Sequence, residues 1–373
     1  MSEDGTRADL RFGTIPAMLR TVAAAHPDRD AVVDTSTAPA ERLTYGDLLG
    51  RVDLVAAAVV GAGVQPGDRV AIWAPNCWEW IVALLGLQSA GAVLVPLNTR
   101  YKGAEAADIL RRSNARLLFT VEGFLGNDYV TMLRGTGDPL PDLRRIVLLR
   151  ESGDRPEGVE SFDEFVATGA DVDTAEVDAR VAALDGDALS DLLFTSGTTG
   201  APKGVKLTHA QTLRAFGDWA DIGGLRAEDR YLCINPFFHA FGYKAGIVAS
   251  LMTGATLVPM AVFDLDAAVD LIESERISVL PGPPTIYQSL LNHPGFDSER
   301  RRAGRRPPTR RRGRSCGPGG ARRAHAQRAG LRHRGDRVRH DRGIGLRHDL
   351  SRRGLRRDDR DHLGTGVPRG RGS

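Results

Sequence analysis

Lysine, cysteine and long apolar runs are what this 373-residue chain has least of. Three cysteines (Cys77, Cys233, Cys316) stand at no paired spacing, which excludes a disulfide framework and a zinc site. They read as small buried fillers in a reducing compartment. The longest apolar stretch, Ile81 to Leu97, is broken by Gln88, Ser89 and Gly91. It reads as a buried helix running into a strand and not as a membrane span. The start, MSEDGTRADLRFG, is acidic and polar and lacks a signal-peptide pattern. The expectation is a soluble, cytoplasmic protein.

A second set of absences marks residues 301–373, which hold no Phe, Trp, Tyr, Met, Lys or Glu. They carry 24 Arg against 6 Asp, a net charge of +18. With 50 basic and 47 acidic residues in the whole chain, residues 1–300 retain 26 basic and 41 acidic, a net of −15. The basic excess therefore belongs to the last segment alone, and the first 300 residues read as an acidic globular protein. With 14 of 73 residues hydrophobic, the segment 301–373 cannot bury enough apolar surface to offset its ordering entropy. An arginine-rich arm for nucleic acid would interleave aromatics for base stacking, and none are present. No nucleic-acid partner is expected.

What remains is a regular alternation. Thr44 can cap a helix with Leu48, Val52, Val55 and Val59 on one stripe. Arg69–Trp73, Ala92–Val95, Ile146–Leu149, Asp191–Phe194, Ala255–Val258 and Ile277–Leu280 read as short apolar strands. Helices at Trp78–Ala90, after Thr208 (with Leu213, Phe216 and Trp219 inward) and after Asp264 separate them. Strands spaced by helices of this length imply an α/β fold of mainly parallel sheet covered by helices, in two lobes. The expected division is 1–170 for the first lobe and 171–300 for the second.

The segment Phe194-Thr-Ser-Gly-Thr-Thr-Gly-Ala-Pro-Lys-Gly-Val205 carries the chemistry. Glycines let backbone N–H groups turn toward an anion, hydroxyls add donors, and Lys203 supplies a point charge. It is not a Walker A loop, because Gly-Lys never occurs in this chain. Of the four lysines (Lys102, Lys203, Lys206, Lys244), one falls in this segment and a second, Lys206, directly follows it. The bland alternative is a Ser/Gly surface loop, disfavoured by the strand before it and the lysine within it.

This segment resembles the phosphate-binding signature of the AMP-forming adenylating enzymes, which include acyl-CoA synthetases, luciferases and peptide-synthetase adenylation domains. Asn235-Pro-Phe-Phe-His-Ala-Phe-Gly242 is similar to the family's aromatic-and-histidine segment, and Leu280-Pro-Gly-Pro-Pro-Thr-Ile-Tyr287 to its pocket-lining turn. Gly67–Asn76 and Ala90–Asn98 resemble its structural first lobe, so the likeness spans about residues 15–295. The second lobe, around Tyr231–His239 and Gly242–Gly246, is most similar to actinobacterial acid-CoA ligases, including those for a steroid-ring propanoate.

The resemblance implies activation of a carboxylic acid by ATP as acyl-AMP, with Mg²⁺, and then transfer to CoA. It implies nucleotide contacts from Thr195, Ser196, Gly197, Thr198, Thr199, Gly200 and Lys203, and an acid pocket near Phe238, His239, Gly242, Gly282 and Pro283. Plain core packing is the competing role for His239 and for Phe237, Phe238 and Phe241. Two alternatives are adenylation for a carrier-protein thiol and a non-catalytic ligase fragment.

The family also implies a Tyr-Gly-x-Thr-Glu segment, a ribose-binding Asp, and a small mobile C-terminal domain with a catalytic Lys. None of these is found here, so the catalytic residues expected of the family are not assigned. A shifted reading frame would account for the tail. Asp336-Arg-Val-Arg-His-Asp-Arg-Gly-Ile-Gly345 can be back-translated so that a one-base shift reads Thr-Gly-Tyr-Gly-Met-Thr-Glu-Ala-Ser. The expectation is a frame change near residue 300 in a truncated ligase.

Overall fold

The computed structural model describes residues 6–151, 153–195 and 202–296. Among these residues eleven strands form two sheets. In chain order they are β1 (Asp30–Asp34), β2 (Glu41–Thr44), β3 (Arg69–Trp73), β4 (Val93–Pro96), β5 (Ala115–Val121) and β6 (Arg145–Arg150), then β7 (Glu160–Ser161), β8 (Leu189–Thr195), β9 (Lys203–Thr208), β10 (Arg230–Cys233) and β11 (Thr256–Pro259). The larger sheet has the order β7-β6-β5-β3-β4-β8-β9, and the smaller β10-β11-β1-β2. Every pairing is parallel except β8–β9 and β1–β2. The α/β class read from the sequence is the one observed, and each sheet draws strands from both sides of residue 170.

Parallel strands covered on both faces must be apolar throughout. That is how β3, β4 and β11 read: Arg-Val-Ala-Ile-Trp, Val-Leu-Val-Pro and Thr-Leu-Val-Pro, buried along almost their whole length. The helix Trp78–Ser89 is apolar all round, the pattern of a helix with no solvent face. It packs against β1 of one sheet and β3, β4 and β6 of the other. Trp80, Ile81, Leu84, Leu85 and Leu87 are fully buried there, each contributing about 1.5–3 kcal/mol of transfer energy. The neighbouring helix Tyr45–Gly61 lies so close that a Cβ on Gly86 would stand 2.5 Å from Val55 Cγ1.

Local chemistry sets the helix starts. Thr44 and Asp47 form a capping box, Thr208 and Gln211 form another, and Asp264 accepts the Ala267 amide. Leu48, Val52, Val55 and Val59 face the core, and so do Leu213 and Trp219; Phe216 is only partly buried.

The expected strand Ile277–Leu280 is instead a single bridge between Tyr231 and Val279. Ser278 and Leu232 complete the contact through backbone bonds to Arg230 and Val279. Pro281, Pro283 and Pro284 follow immediately and cannot donate to a ladder.

Candidate active site

The strand β8 leads toward the phosphate-loop segment, and β9 leads away from it. Thr195 and Lys203 are register partners, with the Thr195 hydroxyl donating to the Lys203 carbonyl at 3.5 Å. Ser196, Gly197, Thr198, Thr199 and Gly200 lie outside the described residues. Both flanks of the hairpin are held by Arg112, from the helix Gly103–Ser113. Its guanidinium donates to the Pro202 carbonyl at 2.8 Å, sits 5.3 Å from the Phe194 ring centroid, and pairs with Asp108 at 3.1 Å. Lys203 is exposed.

The aromatic-and-histidine segment follows β10 as a tight wrap. A Cβ on Gly242 would stand 2.1 Å from the Pro236 carbonyl and 2.5 Å from that of Asn235, so only glycine closes this turn. Asn76 fastens the wrap from the loop before the helix Trp78–Ser89, the central helix between the two sheets. Its amide donates to the carbonyls of Cys233 (3.2 Å), Asn235 (2.9 Å) and Met260 (3.2 Å), and its carbonyl accepts the Phe237 N–H at 2.7 Å.

Phe237 is fully buried 5.3 Å from Trp80, a core residue; Phe238 is partly buried, and Phe241 meets Trp219 edge-on at 6.1 Å. His239 stands at the surface, so it is not a core histidine. Its Nδ1 accepts the Phe241 N–H at 3.2 Å, which leaves the proton on Nε2 of the neutral ring. Partial desolvation pulls its pKa down and favours that neutral form.

Two contacts bring the remaining segment and β8 to this turn. Asn235 Nδ2 donates to the Pro281 carbonyl at 3.0 Å, next to half-buried Gly282 and exposed Pro283. Past Phe241 the chain forms a π-helix, Phe241–Val248, whose Lys244 reaches β8 and pairs with Asp191 at 2.8 Å. Burial lowers the pKa of Lys244, and Asp191 opposes that shift. The three motif segments are thus contiguous: phosphate-loop strand, histidine turn and proline turn.

Sequence reasoning did not single out Arg112, Asn76 or Lys244 for these roles, although Asn76 and Lys244 lie inside the segments that carry the likeness. A depression of about 640 Å³ between Arg42, Asp47, Arg51 and Leu54 shares no residue with the motif segments. Among the described residues no cluster of three His, Cys, Asp or Glu could hold a metal ion. Cys77 and Cys233 are buried free thiols, and burial pushes that of Cys233 up to about 12, which disfavours its thiolate. No helix among the described residues is long and apolar enough to cross a membrane.

Residues 19–338 match the family model described as AMP-binding enzyme. A Mycobacterium tuberculosis protein named as a methyl-dioxo-octahydroindenyl propanoyl:CoA ligase is 51% identical over 286 residues, covering 77% of this chain and 54% of that protein. A Rhodococcus jostii protein of the same name is 46% identical over 284 residues, covering 75% and 54%. Among solved structures, the N-terminal domain of FACL13 from Mycobacterium tuberculosis superposes with a TM-score of 0.66 at 28% identity, covering 76% of this chain and 66% of that one. The chain spans about half the length of the curated relatives it matches. It belongs to the AMP-binding enzyme family.

Proposed function

We propose that this chain is the nucleotide- and acid-binding part of an acid-CoA ligase, acting on a carboxylic acid of the fused-ring propanoate class that its relatives are named for. The observation that carries the reading is the contiguity of the three motif segments, joined by the Lys244–Asp191 and Asn235–Pro281 contacts and by Asn76. In this reaction a carboxylate oxygen bonds to the α-phosphorus of ATP while the α–β bridging bond breaks, and pyrophosphate departs with the electron pair. The CoA sulfur, its proton lost, then attacks the acyl carbonyl and AMP leaves.

The donor chemistry at the hairpin suits the first step. The Thr195 hydroxyl and the exposed Lys203 ammonium stand at the ends of the strands flanking the loop, and in this reading they meet the outer phosphates and the charge growing on pyrophosphate. His239 presents a neutral ring with Nε2–H as donor on the acid side. Mg²⁺ would neutralise phosphate charge. Among the described residues no group of three His, Cys, Asp or Glu stands ready to hold it.

Titration of MgATP into the full chain, followed by pyrophosphate exchange with the bicyclic propanoate and with hexanoate, tests the reading. Lys203→Ala should weaken MgATP binding about 10- to 100-fold, the loss of one charge-assisted contact. Exchange that favours the bicyclic acid supports the substrate class. Binding without exchange for any acid would make this chain a nucleotide-binding ligase fragment. No binding would overturn the proposal.

A further inference from the structure

Lys244 is buried to 1% exposure, a position lysine rarely takes without a partner. Its Nζ donates to Asp191 Oδ1 at 2.8 Å and to Thr212 Oγ1 at 2.8 Å. Asp191 Oδ1 also accepts the Ser190 hydroxyl at 2.7 Å. Beside this pair, Gln88 of the central helix donates to the Ser190 carbonyl at 3.0 Å and to the Tyr243 hydroxyl at 2.9 Å. Residues 190–191 of β8 and 243–244 of the π-helix are therefore cross-linked twice.

The two elements joined in this way each end at a motif. Four residues beyond Asp191, β8 reaches Thr195, opposite Lys203. The π-helix begins at Phe241, whose amide holds the His239 ring, and continues with Gly242, wedged on Pro236 and Asn235. Two features say that this joint is more than packing. A π-helical turn is an uncommon, wide geometry that recurs at functional sites. A buried ion pair can often be replaced by apolar side chains without loss of stability, so packing alone does not call for one. What the charged pair adds is direction: an ammonium held by the Asp191 carboxylate of β8, and steadied by the Thr212 hydroxyl of the helix His209–Gly223, fixes the register of strand against π-helix, which apolar contacts do not.

We propose that Lys244 is a positioning residue which, through Asp191, locks the phosphate-loop strand β8 to the π-helix carrying the His239 turn, so that nucleotide and acid sites keep one fixed register. The proposal rests on the ligase reading above for what the two sites bind. It does not rest on that reading for the coupling itself.

The test uses the full 373-residue chain carrying K244M, which strands Asp191, and K244M/D191L, which replaces the pair with apolar groups. Three quantities are read: Tm, amide exchange in peptides covering 189–195 and 241–248, and MgATP affinity. K244M is expected to melt early, and K244M/D191L to recover most of the wild-type Tm. Despite that recovery, the double variant is expected to exchange faster in both peptides and to bind MgATP about three- to thirtyfold more weakly, the range over which residues between two sites modulate them. A purely structural pair would show rescue of all three quantities together, and that result would overturn the proposal. If the wild-type chain binds no MgATP, the ligase reading fails and exchange decides alone. Faster exchange in both peptides of the double variant then sustains the coupling, and a change confined to 241–248 refutes it.

Discussion

His209 begins the helix His209–Gly223 with 1% of its surface exposed, and its Nδ1 accepts the Ile15 N–H at 3.4 Å. Burial, with a lesser contribution from the Lys244 charge, pushes its pKa down from 6.5 to about 4. The folded chain therefore refuses a proton that the unfolded chain accepts. The resulting stabilisation is complete above pH 6.5 and is lost as pH falls through 6.5 toward 4, on the order of 3 kcal/mol in all. His209→Gln keeps an acceptor for the Ile15 amide and removes the titration. Its Tm should decline less than that of wild type between pH 6.5 and 4.5. Parallel declines would mean that His209 is not held neutral.

The same scale shows where reading the sequence stops. Thr195, Lys203 and His239 announce themselves within runs of eight to twelve residues. Arg112 is one of many surface arginines until the fold brings it 90 positions along the chain to Pro202. Asn76 makes bonds that span 157 to 184 positions, and no local pattern encodes them.

Among the elements, the helix starts were the most legible, because capping is settled within four residues: Thr44 with Asp47, Thr208 with Gln211. The π-helix was not legible, since nothing in the pattern of Phe241–Val248 sets wide turns apart from α-helical ones. Neither was the joint between the two sheets. There β1 supplies Asp34, β6 supplies Arg150, and the central helix supplies Glu79. Arg150 pairs with Asp34 at 2.6 Å and with Glu79 at 2.6 Å, and Asp34 also accepts the Trp78 N–H at 3.0 Å. Burial raises the Glu79 pKa, with Arg150 holding against it. Both carboxylates are buried, at 0% and 4% exposure, so removing the guanidinium leaves two acids without their cation. Arg150→Met should cost about 3–5 kcal/mol in urea unfolding. Arg150→Lys should recover part of that, because one ammonium cannot serve both acids through a fork. A methionine variant within about 1 kcal/mol of wild type would show that the joint is held by packing alone.

At the scale of the whole molecule, strand types were legible and strand partners were not. β1 pairs with β11 across more than 220 positions, and β4 meets β8 through the single pair Leu94–Asp191. Apolar strings of four residues do not choose between such neighbours; the helices between them do. The composition break at residue 300 is of another kind, because it is a break in charge: −15 before it and +18 after. The family match nevertheless runs on to residue 338. The reading proposed for 301–373 is a shifted frame, since a GC-rich coding sequence read one base out yields arginine and glycine and little lysine or aromatic. Residues 336–345 admit a back-translation that turns into Tyr-Gly-Met-Thr-Glu on a one-base shift. Codon choice permits this without requiring it, so the nucleotide sequence decides. Resequencing the gene across codons 290–345 should reveal a single-base discrepancy that restores the Tyr-Gly-Met-Thr-Glu frame. If the sequence stands and close relatives preserve the arginine-rich residues themselves, selection acts on the present frame, and 301–373 must be explained by its charge.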